Sequence, residues 1–252
     1  MITAPLFYLA AVPAVILVGL AKGGLSGLGL LALPLMALVV SPVQGAAIML
    51  PILMVQDVVT VWVYRHSWDH RNVLILIPGA AIGVLIGYLW AAEVSDAAVR
   101  LSLGVISTAF AIRRLMIERR PEEIAPAKAA VPQGLFWGLI CGFTSMVAHA
   151  GGPPFQIYVM PQRLPQTVFV GTGAILFTVL NWIKVPPYIA LGQFSAENLS
   201  TAAALFPLAI ASTYAGVWLV RRLSGPRFYT IVYALLILVG GKLMYDGAAG
   251  LL

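Results

Sequence analysis

Apolar residues run almost unbroken along this chain. Charge, proline and glycine cut them into the stretches Leu6–Val40, Val43–Tyr64, Val73–Ala92, Ala97–Met116, Pro132–Met160, Thr167–Val185, Leu199–Val220 and Phe228–Tyr245. Roughly 20 apolar residues cross a bilayer as one helix. Six of the stretches suit a single pass, but Leu6–Val40 is too long for one. It is interrupted by Lys22-Gly23-Gly24-Leu25-Ser26-Gly27-Leu28-Gly29, and Pro132–Met160 is interrupted in the same way by Gly151-Gly152-Pro153-Pro154. Broken backbone at membrane depth is tolerated only where protein or a water-filled cavity covers it. The pattern predicts an all-α polytopic membrane protein in two halves, each a glycine-pinched hairpin segment followed by three transmembrane helices. Residues 1–117 form the first repeat, 118–131 a polar cytoplasmic linker and 132–252 the second repeat.

The halves also align residue to residue. Gly19, Gly23, Ser26 and Pro34 fall on Gly138, Gly142, Ser145 and Pro153 at a constant offset of 119 (138 − 19). Trp62 then falls on Trp182, Asn72 on Asn198 and Arg100 on Arg227, the offset growing to 127 (227 − 100) through small insertions. Ordered matches within a shared segment pattern indicate an internal duplication.

Lysine and arginine set orientation. The Arg65 to Arg71 loop, the Arg113 to Lys128 linker and the Arg221 to Arg227 loop are basic and should face the cytoplasm. The loops at Glu93 to Asp96 and Gln193 to Glu197 carry acids and should face outward. The loop after Tyr64 is then inside while its counterpart after Val185 is outside, so the halves are expected to be inverted, with both termini periplasmic. That requires each long segment to enter and return; if each crosses once, the repeats are parallel.

Composition narrows the chemistry. With 61% hydrophobic and 10% charged residues, the chain is not a soluble domain. Met1-Ile2-Thr3-Ala4-Pro5 lacks the positive n-region of a cleavable signal, so the first apolar segment is expected to stay. The single cysteine, Cys141, excludes an intramolecular disulfide and a cysteine-only metal cage. No glycine–lysine phosphate loop and no stretch fit for a nucleotide-binding domain is present, which argues against ATP as the direct energy source. No cofactor or metal is expected. The net charge of +6 is what basic loops of a membrane protein supply and does not imply nucleic acid.

Lys22–Gly29 followed by Pro34, and Gly142-Phe143-Thr144-Ser145-Met146-Val147-Ala148-His149-Ala150-Gly151-Gly152-Pro153-Pro154, resemble the paired signatures of the TauE/SafE family of sulfite-exporter-like permeases. Asn181-Trp182-Ile183-Lys184-Val185-Pro186-Pro187-Tyr188 resembles the segment that follows the second signature. The resemblance covers nearly the whole chain. It implies secondary transport of sulfur-containing anions (sulfite, sulfonates, sulfoacetate) across a bacterial inner membrane. Many members carry a Gly-x-Gly-Gly-Gly core, here reduced to separated glycines and to Ala-Gly-Gly, a departure that bears on substrate more than on fold.

Candidate site residues gather at the two pinches. A cation inside an apolar stretch is costly and functional by default, and N–H groups freed at a broken helix suit an anion. Lys22, about 24 Å of helix beyond Leu6, is therefore expected to be the main countercharge, beside Gly23, Gly24, Ser26 and Gly27; the alternative is a lysine reaching to the interface. His149, with Gly151 and Gly152, could hold an anion or pass a proton near neutral pH. Asp57, mid-span beside Gln56, needs a cationic partner, Lys22 or Lys184, and is a candidate for proton coupling together with His149; a structural ion pair is the competing reading. Asn181 and Lys184 lie one turn apart on one helix face. Lys184, close to Pro186-Pro187, reads as reaching the interface, and Asn181 as deeper. Ser145, Thr144, Gln156 and Thr172 can donate hydrogen bonds to oxyanions, although Ser and Thr commonly bond their own helix.

Trp62, Tyr64, Trp68, Trp90 and Tyr245 fit an interfacial aromatic belt, and Gly79, Gly83 and Gly87 fit close helix packing. Two other functions compete. Gly24-Leu25-Ser26-Gly27 and Ala148-His149-Ala150-Gly151-Gly152 match the serine and histidine motifs of rhomboid intramembrane proteases. That reading weakens because Ser26 aligns with Ser145, which makes the motifs copies of one another. A passive anion channel is the other alternative. The partners expected are a small anionic substrate and membrane lipid, with a homodimer compatible and no nucleic acid.

Overall fold

The computed structural model describes residues 1–25, 27–117, 128–220 and 226–251, with the backbone alone at 92, 114, 117, 226–232 and 235. The described residues are helical without strands: α1 (Pro5–Gly23), a 3-10 turn (Leu28–Leu31), α2 (Ala32–Ala37), α3 (Pro42–Tyr64), α4 (His70–Glu93), α5 (Asp96–Ile117), α6 (Val131–Ala148), α7 (Gly152–Val159), a 3-10 turn (Met160–Gln162), α8 (Gln166–Ala190), α9 (Ala196–Leu219) and α10 (Pro226–Ala249). Six of them (α1, α3, α4, α6, α8 and α9) are long and apolar enough to cross a membrane. Residues 118–127, most of the expected linker, lie outside the described residues, as does Ser26.

Helix ends follow local chemistry. Ser41, Asp69 and Ser195 cap α3, α4 and α9 by accepting from the N–H of Gln44, Asn72 and Asn198. Proline opens α1 and α3 at positions that need no donor. α8 runs through Pro186-Pro187 to Ala190, longer than the stretch ending at Val185 implied. Proline is tolerated within a membrane helix when neighbours cover the freed carbonyls.

Each half repeats one order: a long helix, a break, a short helix and three long helices. In the first half, Gly24 and Gly27 at the break take φ of 131° and 99°, which side chains rarely adopt. The chain then doubles back, so that a Cβ on Gly29 would meet Ala21 and Val18. Gln56 donates to the Val15 carbonyl and Tyr64 to the Gly23 carbonyl, so α3 runs parallel to α1 and the segment between them returns. Tyr64, expected in an aromatic belt, is instead buried and ties α3 to the end of α1.

The halves interleave rather than sit side by side. Gly138 and Gly142 of α6 press on the carbonyls of Leu76 and Ala80 of α4, where an added Cβ would lie 2.4 and 1.9 Å away. Gly79 and Gly83 return the contact on Leu135 and Leu139, the close packing that small residues permit in membranes. The aligned glycines of the first half, Gly19 and Gly23 of α1, press in the same manner on Ser212 and Gly216 of α9. Two further helix pairs run antiparallel. Tyr64 lies by Gly171 and Asp57 by Asn181 where α3 meets α8; Thr108 lies by Gly240 and Leu101 by Gly247 where α5 meets α10.

One end of the bundle carries the exposed Arg65, Arg71, Lys128 and Arg163, and the other carries the exposed Glu93, Asp96 and Glu197. Ile2, which donates to Thr201 at the start of α9, and Gly250, against Ala97 at the start of α5, lie at the acidic end.

Candidate functional site

The two breaks face one another across a cavity of about 150 Å³, room for a small oxyanion with a few waters. α1 with its return, α3, the end of α6, α7 and α8 all line it. Most of the wall is apolar (Leu30, Leu53, Phe155, Phe169 and Phe177 among others), and a few polar groups converge on it, the usual makeup of a small-molecule site.

Lys22 enters from the last turn of α1, where the negative end of the helix favours a cation. Its ammonium pairs with Asp57 Oδ1. The other carboxylate oxygen, Oδ2, accepts from Asn181 Nδ2 at 2.6 Å. An ammonium and an amide NH₂ are donors only, so Asp57 accepts at both oxygens as a carboxylate does. Of the two partners the sequence offered Asp57, the fold selects Lys22, and Asn181 completes the pair. Asp57 and Gln56 stand behind the cavity wall rather than in it. Gln56 is fully buried, donates to the Val15 carbonyl, and has no partner for Oε1 among the described residues.

Lys184 departs most from expectation. It is 1% exposed, lies mid-helix because α8 continues past the prolines, and lines the cavity. The reading of Lys184 as a lysine reaching the interface is overturned: α8 runs another turn and a half beyond it, packed over His149 and Ser145. Its Nζ donates to the Ser145 carbonyl at 3.3 Å and lies 2.9 Å from His149 Nδ1. His149 Nε2 lies 3.0 Å from the Ala46 carbonyl. A carbonyl only accepts, so Nε2 carries the proton; Nδ1 then accepts from the ammonium, and the imidazole is neutral. His149 itself closes α6 in the left-handed conformation, φ 50°.

α7 begins at the cavity edge with Gly152, and Pro153 and Pro154 in its first turn have no N–H. Gly151 and Gly152 stand at the N-terminus of α7, where the first N–H groups have no acceptor further along the helix. Cys141 steadies the break by donating its thiol to the Gly151 carbonyl. Gln156, one turn further, lines the cavity with its amide unbonded among the described residues.

The other candidates divide. Gly27, Ser145 and Gly152 line the cavity. Gly23 packs against Gly216 of α9 and Gly24 against Val220 just beyond that helix, and Gly151 packs against Cys141 and Phe177. Thr172 is spent elsewhere: it accepts from the N–H of Asp69 and donates to Val168, fixing the loop before α4. Thr144 bonds back to Ile140. Among the described residues no cluster of three metal-ligating side chains occurs.

A family model described as Sulfite exporter TauE/SafE matches residues 11–243 of the 252-residue chain. No curated protein and no solved structure matches it.

Proposed function

The chain belongs to the sulfite exporter TauE/SafE family, a family of membrane transporters, and we propose that it is a secondary carrier for small sulfur-containing oxyanions such as sulfite and sulfonates. The observation that carries the reading is the cavity between the two breaks. It holds two lysines, the half-buried Lys22 and the buried Lys184, of which Asp57 neutralises only the first. Cations in a membrane interior are rare unless paired or placed on a substrate path.

In this reading Lys184 is the countercharge for the substrate. The amide of Gln156, the N–H groups of Gly151 and Gly152 and the positive end of α7 supply further donors. The antiparallel α3–α8 and α5–α10 pairs support inverted repeats, and rocking one set of helices against the other would open the cavity to either side. The basic residues at one end of the bundle support a cytoplasmic assignment for that end, and with it periplasmic termini in a bacterial inner membrane. Ion coupling would run through His149, in the cavity wall, or through Asp57, behind it.

The protease alternative loses support at His149. Both ring nitrogens are engaged, by Ala46 and by Lys184, so neither is left to act as base for a serine. The test is thermal stabilisation of the purified protein by sulfite, thiosulfate, sulfoacetate, taurine, sulfate and simple carboxylates, followed by flux in proteoliposomes. A carrier saturates and shows counterflow with the stabilising anion. Stabilisation by carboxylates only would remove the sulfur assignment, and conductance without saturation would replace the carrier by a channel.

A further inference from the structure

We propose that the cavity presents one net positive charge and selects monovalent over divalent sulfur oxyanions, with Asp57 the residue that rejects the second charge. The inference rests on the cavity being the anion site and goes on to its charge selectivity.

The argument is a charge count. The ionisable side chains that line the cavity are Lys22, His149 and Lys184, and Asp57 stands directly behind Lys22. Lys22 and Asp57 cancel. Asn181 donates to the second oxygen of Asp57 at 2.6 Å, so both carboxylate oxygens accept and the group is held in place. His149 is neutral, since it donates to the Ala46 carbonyl and accepts from Lys184. Cys141, the other ionisable group packed at the second break, donates its thiol proton to Gly151 and is uncharged. Arg100, on α5, is tied to the Ala37 carbonyl at the end of α2 and does not line the cavity. One positive charge remains, on Lys184.

A cavity with largely apolar walls favours an occupied state of low net charge, because such walls solvate an uncompensated ion poorly. A monovalent anion brings the occupied cavity to neutrality. A dianion leaves it with one uncompensated negative charge close to Asp57. The carboxylate therefore does two things: it holds Lys22 in the wall, and it sets the charge of the accepted ligand.

Methanesulfonate and sulfate test this, because they are similar tetrahedral anions whose charges of one and two do not change around neutral pH. Their affinities for the purified protein are compared by titration calorimetry. The wild-type protein should favour methanesulfonate. Asp57→Asn should move the affinity ratio toward sulfate by about tenfold or more, the size of effect that one added unit of charge has near a partly buried ligand. The double variant Lys22→Gln/Asp57→Asn, which removes both members of the pair, should restore the wild-type ratio. Equal wild-type affinity for the two anions overturns the proposal, as does an unchanged ratio in Asp57→Asn or a swing to sulfate in the double variant. The wild-type and double-variant measurements decide it even if Asp57→Asn does not fold. Binding without charge discrimination sinks the selectivity alone, whereas binding of neither these anions nor sulfite sinks the anion site with it.

Discussion

Replacing Lys184 by methionine gives an unbranched side chain one atom shorter and removes the charge. The ammonium lies 2.9 Å from His149 Nδ1 and 3.3 Å from the Ser145 carbonyl, and faces the cavity. A substrate oxyanion at about 4 Å would interact with it by about 4 kcal/mol at the effective dielectric of a partly buried pair. That corresponds to on the order of a thousandfold in dissociation constant. Folding should respond differently. The variant loses two hydrogen bonds of about 1–3 kcal/mol each but no longer holds a cation out of water, a burial that often leaves such groups neutral or unfavourable for stability. The expected result is a ligand-free melting temperature close to wild type and a dissociation constant for sulfite raised by two to three orders of magnitude. Calorimetry on the purified variant, beside a melting curve, measures both. A normally folded Lys184→Met protein whose affinity changes by less than about threefold would refute Lys184 as the countercharge and return that role to Lys22.

Lys22 should behave in the opposite sense. Lys22→Met strands a buried carboxylate, at a cost of about 3–5 kcal/mol, so its melting temperature should fall, and adding Asp57→Asn should recover most of the loss. Asn181→Leu removes the 2.6 Å hydrogen bond to Asp57 and should lower unfolding stability in detergent by about 1.5–3 kcal/mol; no change would mean that the bond is not formed. Gly142→Ala puts a methyl 1.9 Å from the Ala80 carbonyl and should pry α6 from α4, lowering both melting temperature and flux, whereas Gly241→Ala, with open space around it, should be tolerated. Equal melting temperatures for the two alanine variants would contradict the close α4–α6 packing.

Much of the architecture was legible along the chain because bilayer thickness imposes length on helices. The apolar stretches foretold α3, α4, α5, α9 and α10 to within a few residues, and the glycines at Lys22–Gly29 and His149–Gly152 foretold the two breaks. The matched glycines, Gly19 and Gly23 in one half and Gly138 and Gly142 in the other, foretold points where helices press closely on their neighbours. Candidate site residues were legible by cost: Lys22, Asp57, His149 and Asn181 are polar in apolar surroundings, and a membrane makes such residues conspicuous.

What the chain could not disclose was partnership. Distance along a sequence says nothing of which helices cross, so the choice of Lys22 for Asp57 waited on the meeting of α1, α3 and α8. Lys184 looked peripheral because two prolines follow it. Only the packed bundle, by covering the carbonyls that prolines free, lets α8 continue and carries that lysine into the interior beside His149. Thr172 looked available because a hydroxyl's partners are local and invisible in sequence; in the fold it is spent on Asp69 and Val168. Local chemistry determined the helices and their breaks, while the charge left on the cavity wall depends on contacts between residues up to 124 positions apart, which only tertiary packing decides.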